Sequence, residues 1–142
     1  MYPDDIEEKI KQFQDAIGTP EYNSAIEDLI RTAYDYKIQI ILSVQPSHAR
    51  PENEIFSGSY VVKILRLPKS GNSKEILFDM MHEMGHCFDP NKLLPDKSNE
   101  KERERRAWEF ADEKIGSYPE LATAMQEYTD FKNSHLETYL NA

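Results

Sequence analysis

Residues 72–88, NSKEILFDMMHEMGHCF, predict the central helix of this protein and contain two of its four histidines. Asn72 is the predicted N-cap, and Glu75, three residues on, completes a capping box. At about 100° per residue, the side chains that can bind metal ions or protons share one side of the helix: Asp79, His82, Glu83 and His86. Apolar side chains occupy the other side: Leu77, Met80, Met81, Met84 and Phe88. We therefore expect a helix anchored in the core, with a face that offers only chemically active groups.

The pair His82 and His86 has the spacing of a shared metal site. Residues four apart lie one above the other on a helix, so both imidazoles can reach one ion. Glu83 lies about 100° round from His82, where a general base can take a proton from a metal-bound water. Because HExxH is short enough to arise by chance, its meaning depends on a third ligand.

Glu104, on the following predicted helix, is the candidate third ligand. It shares one face with apolar residues at helical spacing: Ala107, Trp108, Ala111 and Ile115. A carboxylate on a buried face is costly unless it is paired or bound to metal, which favours metal binding. The alternative is that Glu104 pairs with an arginine near the start of its helix.

The rest of the chain predicts further helices around a small sheet. Apolar residues at helical spacing indicate helices at residues 3–17, 19–33, 100–116 and 119–140, the second of them capped by Thr19. Alternation predicts a strand at 37–44, and two more within 54–68 that turn near Ser57 and Gly58. Residues 45–54, with two prolines and His48, are predicted to form a solvated loop. The expected architecture is one α+β domain over 1–142, mainly helical, with a small three-stranded antiparallel sheet.

Composition excludes several classes of partner. The chain has 26 acidic and 17 basic residues and a net charge of −9, which repels phosphate backbones, so no nucleic acid is expected. No stretch approaches the roughly 18–20 apolar residues that span a bilayer, so no membrane is expected. Cys87 is the single cysteine and cannot close an intramolecular disulfide, which fits a cytoplasmic protein.

The motif HEMGH, followed by ERRAWEFA (104–111) on the next helix, resembles the ImmA/IrrE family of zinc metalloendopeptidases. The same HExGH and ExxA pattern is also similar to the protease domain of anthrax lethal factor. The resemblance is specific over residues 72–116 and coarse elsewhere. It implies a zincin-like domain with Zn²⁺ on His82, His86 and Glu104, and with Glu83 as the general base. One departure is Trp108, which stands where thermolysin-type sequences carry an aspartate four residues after the glutamate.

The function that the resemblance implies is a zinc-dependent metalloendopeptidase that hydrolyses a peptide bond through a zinc-bound water. Such an enzyme would be a regulatory or toxin-like protease. Its partner would be a protein or peptide substrate, for which a repressor-like regulator is the family's example. Two alternatives stay open: a non-catalytic interaction module with a residual or structural zinc site, and a metal-free helical protein that carries the motif by chance.

Four further residues are candidates around the site. Asp79, one turn before His82, could orient a ligand histidine, or it is a plain surface residue. The oxyanion of the transition state needs a hydrogen-bond donor, for which Tyr118, Tyr128 and His135 are candidates. Core packing is the alternative for the two tyrosines, and a surface position is the alternative for His135.

Three smaller predictions concern packing and substrate. The strand near residues 60–67 could pair with an extended substrate by strand addition. Cys87 points away from the ligand side and is predicted to be a small core residue. Gly85 either lets another group approach the backbone between the two histidines or is a tolerated weak point near the helix end.

Overall fold

The structure is a computed structural model that describes residues 6–36, 38–43, 48–51, 60–65, 74–88 and 100–140. These residues form five α-helices and three short strands. In chain order they are α1 (Ile6–Ile17), α2 (Asn23–Asp35), β1 (Ile38–Ser43), β2 (His48–Pro51), β3 (Tyr60–Leu65), α3 (Lys74–Cys87), α4 (Glu100–Ser117) and α5 (Met125–Leu140). Short 3₁₀ helices at Pro20–Tyr22 and Pro119–Ala124 lead into α2 and α5.

The predicted fold class, an α+β domain with a three-stranded antiparallel sheet, is wrong. The part of the chain that the structure describes is predominantly helical, and its small sheet is mixed, with strand order β1-β3-β2. β1 runs parallel to β3, from Ile38 opposite Tyr60 to Ser43 opposite Leu65. A parallel pair cannot be joined by a hairpin and needs a crossover, so the pairing of β1 with β3 is not a property of neighbouring sequence.

The loop predicted at 45–54 is also wrong in part, because β2 lies within it. β2 pairs with β3 in the antiparallel sense, from His48 opposite Lys63 to Pro51 opposite Tyr60. Proline lacks an N–H donor but is tolerated at the edge of a sheet, which is where β2 lies. The predicted turn near Ser57 and the capping residue Asn72 fall outside the described residues.

The strand order corrects the prediction of substrate pairing. β3 is the central strand, with β1 on one side and β2 on the other. All its residues pair with β1, and Tyr60 to Lys63 pair with β2 as well. An extended peptide therefore cannot add along Tyr60 to Lys63, since strand addition needs an unpaired edge, and residues 66 and 67 of the predicted segment fall outside the described residues.

α1 and α2 follow their apolar patterns closely. The buried side chains of α1 are Ile6, Ile10, Phe13 and Ile17, and those of α2 are Ala25, Ile26, Leu29, Ile30 and Ala33. Gly18 ends α1 with φ 68°, a left-handed conformation that suits glycine, and its N–H donates to the Gln14 carbonyl at 2.8 Å. Thr19 stands at the N-cap position, but its side chain makes no capping hydrogen bond and its hydroxyl donates to the Ile17 carbonyl instead.

α3 lies at the centre of the hydrophobic core. Six of its apolar side chains are buried: Ile76, Leu77, Phe78, Met80, Met81 and Met84. The core also takes buried residues from α1, α2, β1, α4, the second 3₁₀ helix and α5. Both sides of α3 are covered, since the predicted ligand side, with His82 and Glu83, is buried as well. Among the described helices, none combines the length and apolarity needed to cross a membrane.

Candidate metal centre

α3 presents His82 and His86 one turn apart, as the spacing predicts. Their ring centroids are 4.9 Å apart. His82 is 5% exposed, while His86 is half-buried and lies nearer the solvent. The two imidazoles therefore form a pair with one shielded member and one more accessible member.

Glu104 on α4 closes the group. Its Oε1 lies 3.0 Å from Nε2 of His82, and its Oε2 lies 2.6 Å from Nε2 of His86. One ligand atom from each of the three residues can be chosen so that all lie within 4.8 Å of one another. The structure thus brings together the three predicted ligands. Two imidazole nitrogens and a carboxylate fit zinc, whose catalytic sites use three protein ligands and leave a fourth position open.

A close contact between α3 and α4 sets the distance from Glu104 to the histidines. A Cβ at Gly85 would lie 2.5 Å from the Ala107 carbonyl oxygen and 2.8 Å from the Ala107 Cα. No side chain fits there, so the backbone of α4 approaches α3 at a level between His82 and His86. Of the two alternatives for Gly85, the structure therefore selects the close approach.

Hydrogen bonds within the site stabilise the charged forms of Glu104 and His82. Burial alone would raise the pKa of Glu104, but hydrogen bonds from His82 and His86 outweigh it and lower that pKa to about 2. Burial alone would lower the pKa of His82, but hydrogen bonds to Glu104 and Glu83 raise it to about 9. At neutral pH and without metal, His82 is therefore a cation held between carboxylates.

Glu83 is buried beside His82 and lies outside the triad. It is 6% exposed, and its Oε2 lies 3.2 Å from Nδ1 of His82. The imidazole thus has a carboxylate at each nitrogen, with Glu104 at Nε2. When Nε2 binds a metal ion, Nδ1–H still donates to Glu83, the arrangement that usually orients a metal-bound histidine. Asp79, the residue predicted for this orienting role, is half-buried one turn earlier on α3.

The two tyrosine candidates for the oxyanion have other partners. The Tyr118 hydroxyl donates to Oδ2 of Asp28 on α2 at 2.5 Å. The Tyr128 hydroxyl donates to Oδ1 of Asp112 on α4 at 2.6 Å. Burial and the neighbouring carboxylates raise the pKa of both hydroxyls well above the usual range. Both tyrosines therefore serve packing between helices, and the structure does not bring their hydroxyls to the triad.

His135 on α5 is the oxyanion candidate that lies next to the triad. Its ring centroid is 6.5 Å from that of His82. It is half-buried rather than at the surface. Its Nδ1 donates to the Phe131 carbonyl at 3.0 Å, since a carbonyl oxygen can only accept. This hydrogen bond fixes the tautomer of the neutral ring and keeps Nε2 for another partner.

Trp108 lies at the site, although the sequence predicts only that it shares a face of α4 with Glu104 and gives it no role there. Its indole stacks on the imidazole of His82, with ring centroids 4.2 Å apart and an interplanar angle of 13°. It is 1% exposed, and its Nε1 has no hydrogen-bond partner in the described part of the chain. The available signal was its place one turn after Glu104, which puts both residues on one face of α4.

Cys87 does not take part in the site. It is a buried free cysteine, as the angular count predicts. Burial, with a contribution from the negative charge of Glu83, raises the pKa of its thiol to about 12. The thiol therefore stays protonated at neutral pH without metal, and Cys87 is not among the residues whose ligand atoms meet at the triad.

The described residues thus define a mainly helical protein with a candidate three-ligand metal centre between two central helices. Comparison with protein-family models, with curated proteins and with solved structures finds no match.

Proposed function

We propose that this protein is a zinc-dependent metalloendopeptidase of the kind that its HEMGH and ERRAWEFA motifs resemble, the ImmA/IrrE type. The observation that carries the proposal is the meeting of Nε2 of His82, Nε2 of His86 and the Glu104 carboxylate. A second carboxylate, that of Glu83, is buried beside them. A chance HExxH motif gives no reason for a carboxylate to be buried against both histidines.

The three ligands would hold the ion and leave its fourth coordination position open. Zinc bound there would supply a Lewis acid that can polarise the scissile carbonyl and lower the pKa of a bound water. The half-buried side chain of His86 is on the more accessible side of the triad, which is where a peptide would approach. Glu104 supplies one negative charge, which partly compensates that of a divalent ion.

Glu83 acts as the general base in this proposal. It takes a proton from the attacking water and returns it to the leaving amine. In the structure its Oε2 contacts Nδ1 of His82, the ring nitrogen that points away from Nε2, so this role requires the carboxylate to turn from that contact towards the water. Burial makes its interactions stronger than they would be in water, since the local dielectric constant is low.

We assign the hydrogen bond to the substrate oxyanion to His135. It lies beside His82 on α5, whereas the hydroxyls of Tyr118 and Tyr128 donate to aspartates. Because Nδ1 of His135 already donates to the Phe131 carbonyl, its Nε2 can donate as well only when the ring is an imidazolium. A donor at this point stabilises the charge that develops on the carbonyl oxygen.

One observation favours a second candidate function, a non-catalytic interaction module with a residual or structural zinc site. Glu83 contacts Nδ1 of His82, so its carboxylate has a use in orienting a ligand even where no reaction occurs. The substitution Glu83→Gln separates the orienting role of Glu83 from its role as a general base. The amide oxygen can still accept from Nδ1–H, whereas the amide cannot take a proton from water.

The proposed partner is a protein or peptide substrate, such as a repressor-like regulator. The net charge of −9 argues against nucleic acid and favours a basic segment as the bound stretch. We also propose that the protein works in the cytoplasm, because its one cysteine is a buried free thiol and its fold needs no oxidising compartment.

The test begins with zinc per chain, measured by elemental analysis on protein purified without metal-chelating resin. We expect about one zinc in the wild type and a sharp loss in Glu104→Ala. The matched control is Glu109→Ala, which removes an exposed glutamate of the same helix that pairs with Arg105 and should retain zinc. No zinc in the wild type would overturn the proposal.

Cleavage is tested next with an unfolded casein and a peptide library, with the new amino termini identified by mass spectrometry. Wild type should cut, while Glu83→Gln should keep its zinc and fold and lose cleavage by at least about 10²-fold, the contribution of a general base. Retained cleavage in Glu83→Gln would contradict the role of Glu83. Zinc in both the wild type and Glu83→Gln, with no cleavage by either, would favour the interaction module.

A further inference from the structure

We propose that Trp108 is a positioning residue of the metal centre, whose indole holds the plane of the His82 imidazole so that Nε2 faces Glu104 and His86. The inference rests on the proposed function only in requiring a metal ion at the triad. It does not require peptidase activity, so the two can fail separately.

The stacking of Trp108 on His82 restrains a motion of the imidazole that its hydrogen bonds leave free. The last torsion of a histidine side chain is broad and has no sharp minimum, so the ring plane must be set by its surroundings. Hydrogen bonds hold His82 at two ring edges, through Glu104 at Nε2 and Glu83 at Nδ1. These two contacts still allow the ring to tilt about the line that joins its nitrogens. The indole face, nearly parallel at 13° and 4.2 Å away, opposes that tilt.

Other rings near His82 do not offer the same restraint. His86 meets it edge-on at 65°, and His135 is tilted by 58° at 6.5 Å. Among the described rings that contact His82, the indole of Trp108 is therefore the one that lies flat against it.

The cost of burying an indole at this position supports a specific role. Trp108 is 1% exposed, and Nε1 has no hydrogen-bond partner in the part of the chain that the structure describes. A buried donor without a partner destabilises the folded state, and an apolar side chain of similar bulk would avoid that penalty. What the indole adds is a large flat face of negative potential. Such a face favours an imidazole that carries positive charge from a bound cation.

The position of Trp108 on α4 makes it part of one supporting unit. Glu104, Ala107 and Trp108 lie within five residues and contact the HEMGH segment of α3 in three ways. Glu104 meets both histidines, Ala107 meets Gly85, and Trp108 covers the face of His82. One helix turn thus supplies the third ligand, the close approach and the restraint on the first ligand.

The test compares two substitutions of similar volume that differ in having a flat ring, Trp108→Phe and Trp108→Met. The matched control is Phe78→Met, because Phe78 is fully buried in the same aromatic cluster but its ring contacts are Tyr128 and Phe131. Zn²⁺ affinity is measured by competition with a chelating dye, and the stability of each metal-free variant by urea unfolding.

We expect Trp108→Met to weaken Zn²⁺ binding by roughly 10–100-fold, the usual effect of losing a group that orients a ligand. Trp108→Phe and Phe78→Met should stay close to wild type in affinity, although both lose stability. If Trp108→Met loses no more affinity than Phe78→Met at a comparable loss of stability, Trp108 is packing alone and the proposal is wrong. No Zn²⁺ binding by the wild type would instead overturn the proposed function, and this role with it.

A second measurement decides the matter if Trp108→Met does not fold. Ring protons that lie over an indole are shifted upfield, so the His82 ring C–H signals of the wild type should be displaced in the proton NMR spectrum. The His82 signals are assigned by their loss in His82→Asn.

The chain has a single tryptophan, so stoichiometric Co²⁺ should also quench its fluorescence, while Zn²⁺ should not. His82 signals at ordinary positions, or Co²⁺ binding at the triad without quenching, would overturn the proposal.

Discussion

His82 is held on three sides, by Glu104 at Nε2, by Glu83 at Nδ1 and by the indole of Trp108 on its face. Without metal, the positive charge between the carboxylates is that of a proton. A zinc ion at Nε2 requires the neutral ring and must displace this proton. Proton and metal therefore compete for the same nitrogen.

This competition predicts how metal affinity depends on pH. Hydrogen bonds to Glu104 and Glu83 raise the pKa of His82 to about 9 in spite of its burial, so below that pH each zinc bound releases a proton. Since Glu104 is ionised throughout this range, one displaced proton should make affinity rise about tenfold per pH unit from about pH 7 to 9 and then level off. Dye competition across that range measures the slope. An affinity that is flat between these pH values would contradict the raised pKa.

At the element scale, the crossing of α3 and α4 decides whether a site exists. Helix positions were predictable because apolar residues recur locally at helical spacing, as in α1, α2 and α4. The sheet was mispredicted because strand pairing is non-local. Nothing near residues 38–43 indicates that they pair with residues 60–65, nor that a segment with two prolines inserts an edge strand.

Gly85→Ala tests the crossing. Its Cβ would lie 2.5 Å from the Ala107 carbonyl oxygen, so α4 must move away and carry Glu104 from the histidines. We expect a loss of about 1–3 kcal/mol in the free energy of unfolding, as for other overpacked sites, with a marked loss of zinc.

The matched control is Gly116→Ala on α4, where an added Cβ meets nothing within 4 Å. It should keep its zinc and gain up to about 0.5–1 kcal/mol from helix propensity. Urea unfolding and elemental analysis of both variants give the comparison. Full zinc and an unchanged urea midpoint in Gly85→Ala would show that the close approach does not govern the site.

At the scale of the whole molecule, the core does not depend on the metal. Buried residues from α1, α2, β1, α3, α4 and α5 pack into one cluster, and the triad is held by its own hydrogen bonds. The metal-free protein should therefore stay folded. The proposed zinc ion would add stability by binding the native state alone.

Removal of zinc should consequently lower the melting temperature without abolishing the fold. At a free zinc concentration about 100-fold above the dissociation constant, binding raises the free energy of unfolding by about 2.7 kcal/mol. For a chain of this size, that corresponds to a rise of roughly 5–10 °C in the melting temperature. Calorimetry with and without a chelator measures the shift, and Glu104→Ala should show none. A wild-type melting curve that the chelator leaves unmoved would favour the metal-free protein with a chance motif.

The sequence by itself determined the helices, the side-by-side placement of His82 and His86, and the candidacy of Glu104. These follow from the helical period, which is a local property of the chain. Only the tertiary structure decided the strand order, the approach of Ala107 to Gly85 and the stacking of Trp108 on His82. Such contacts join residues far apart in the chain, and they depend on how whole elements pack once their apolar faces are buried.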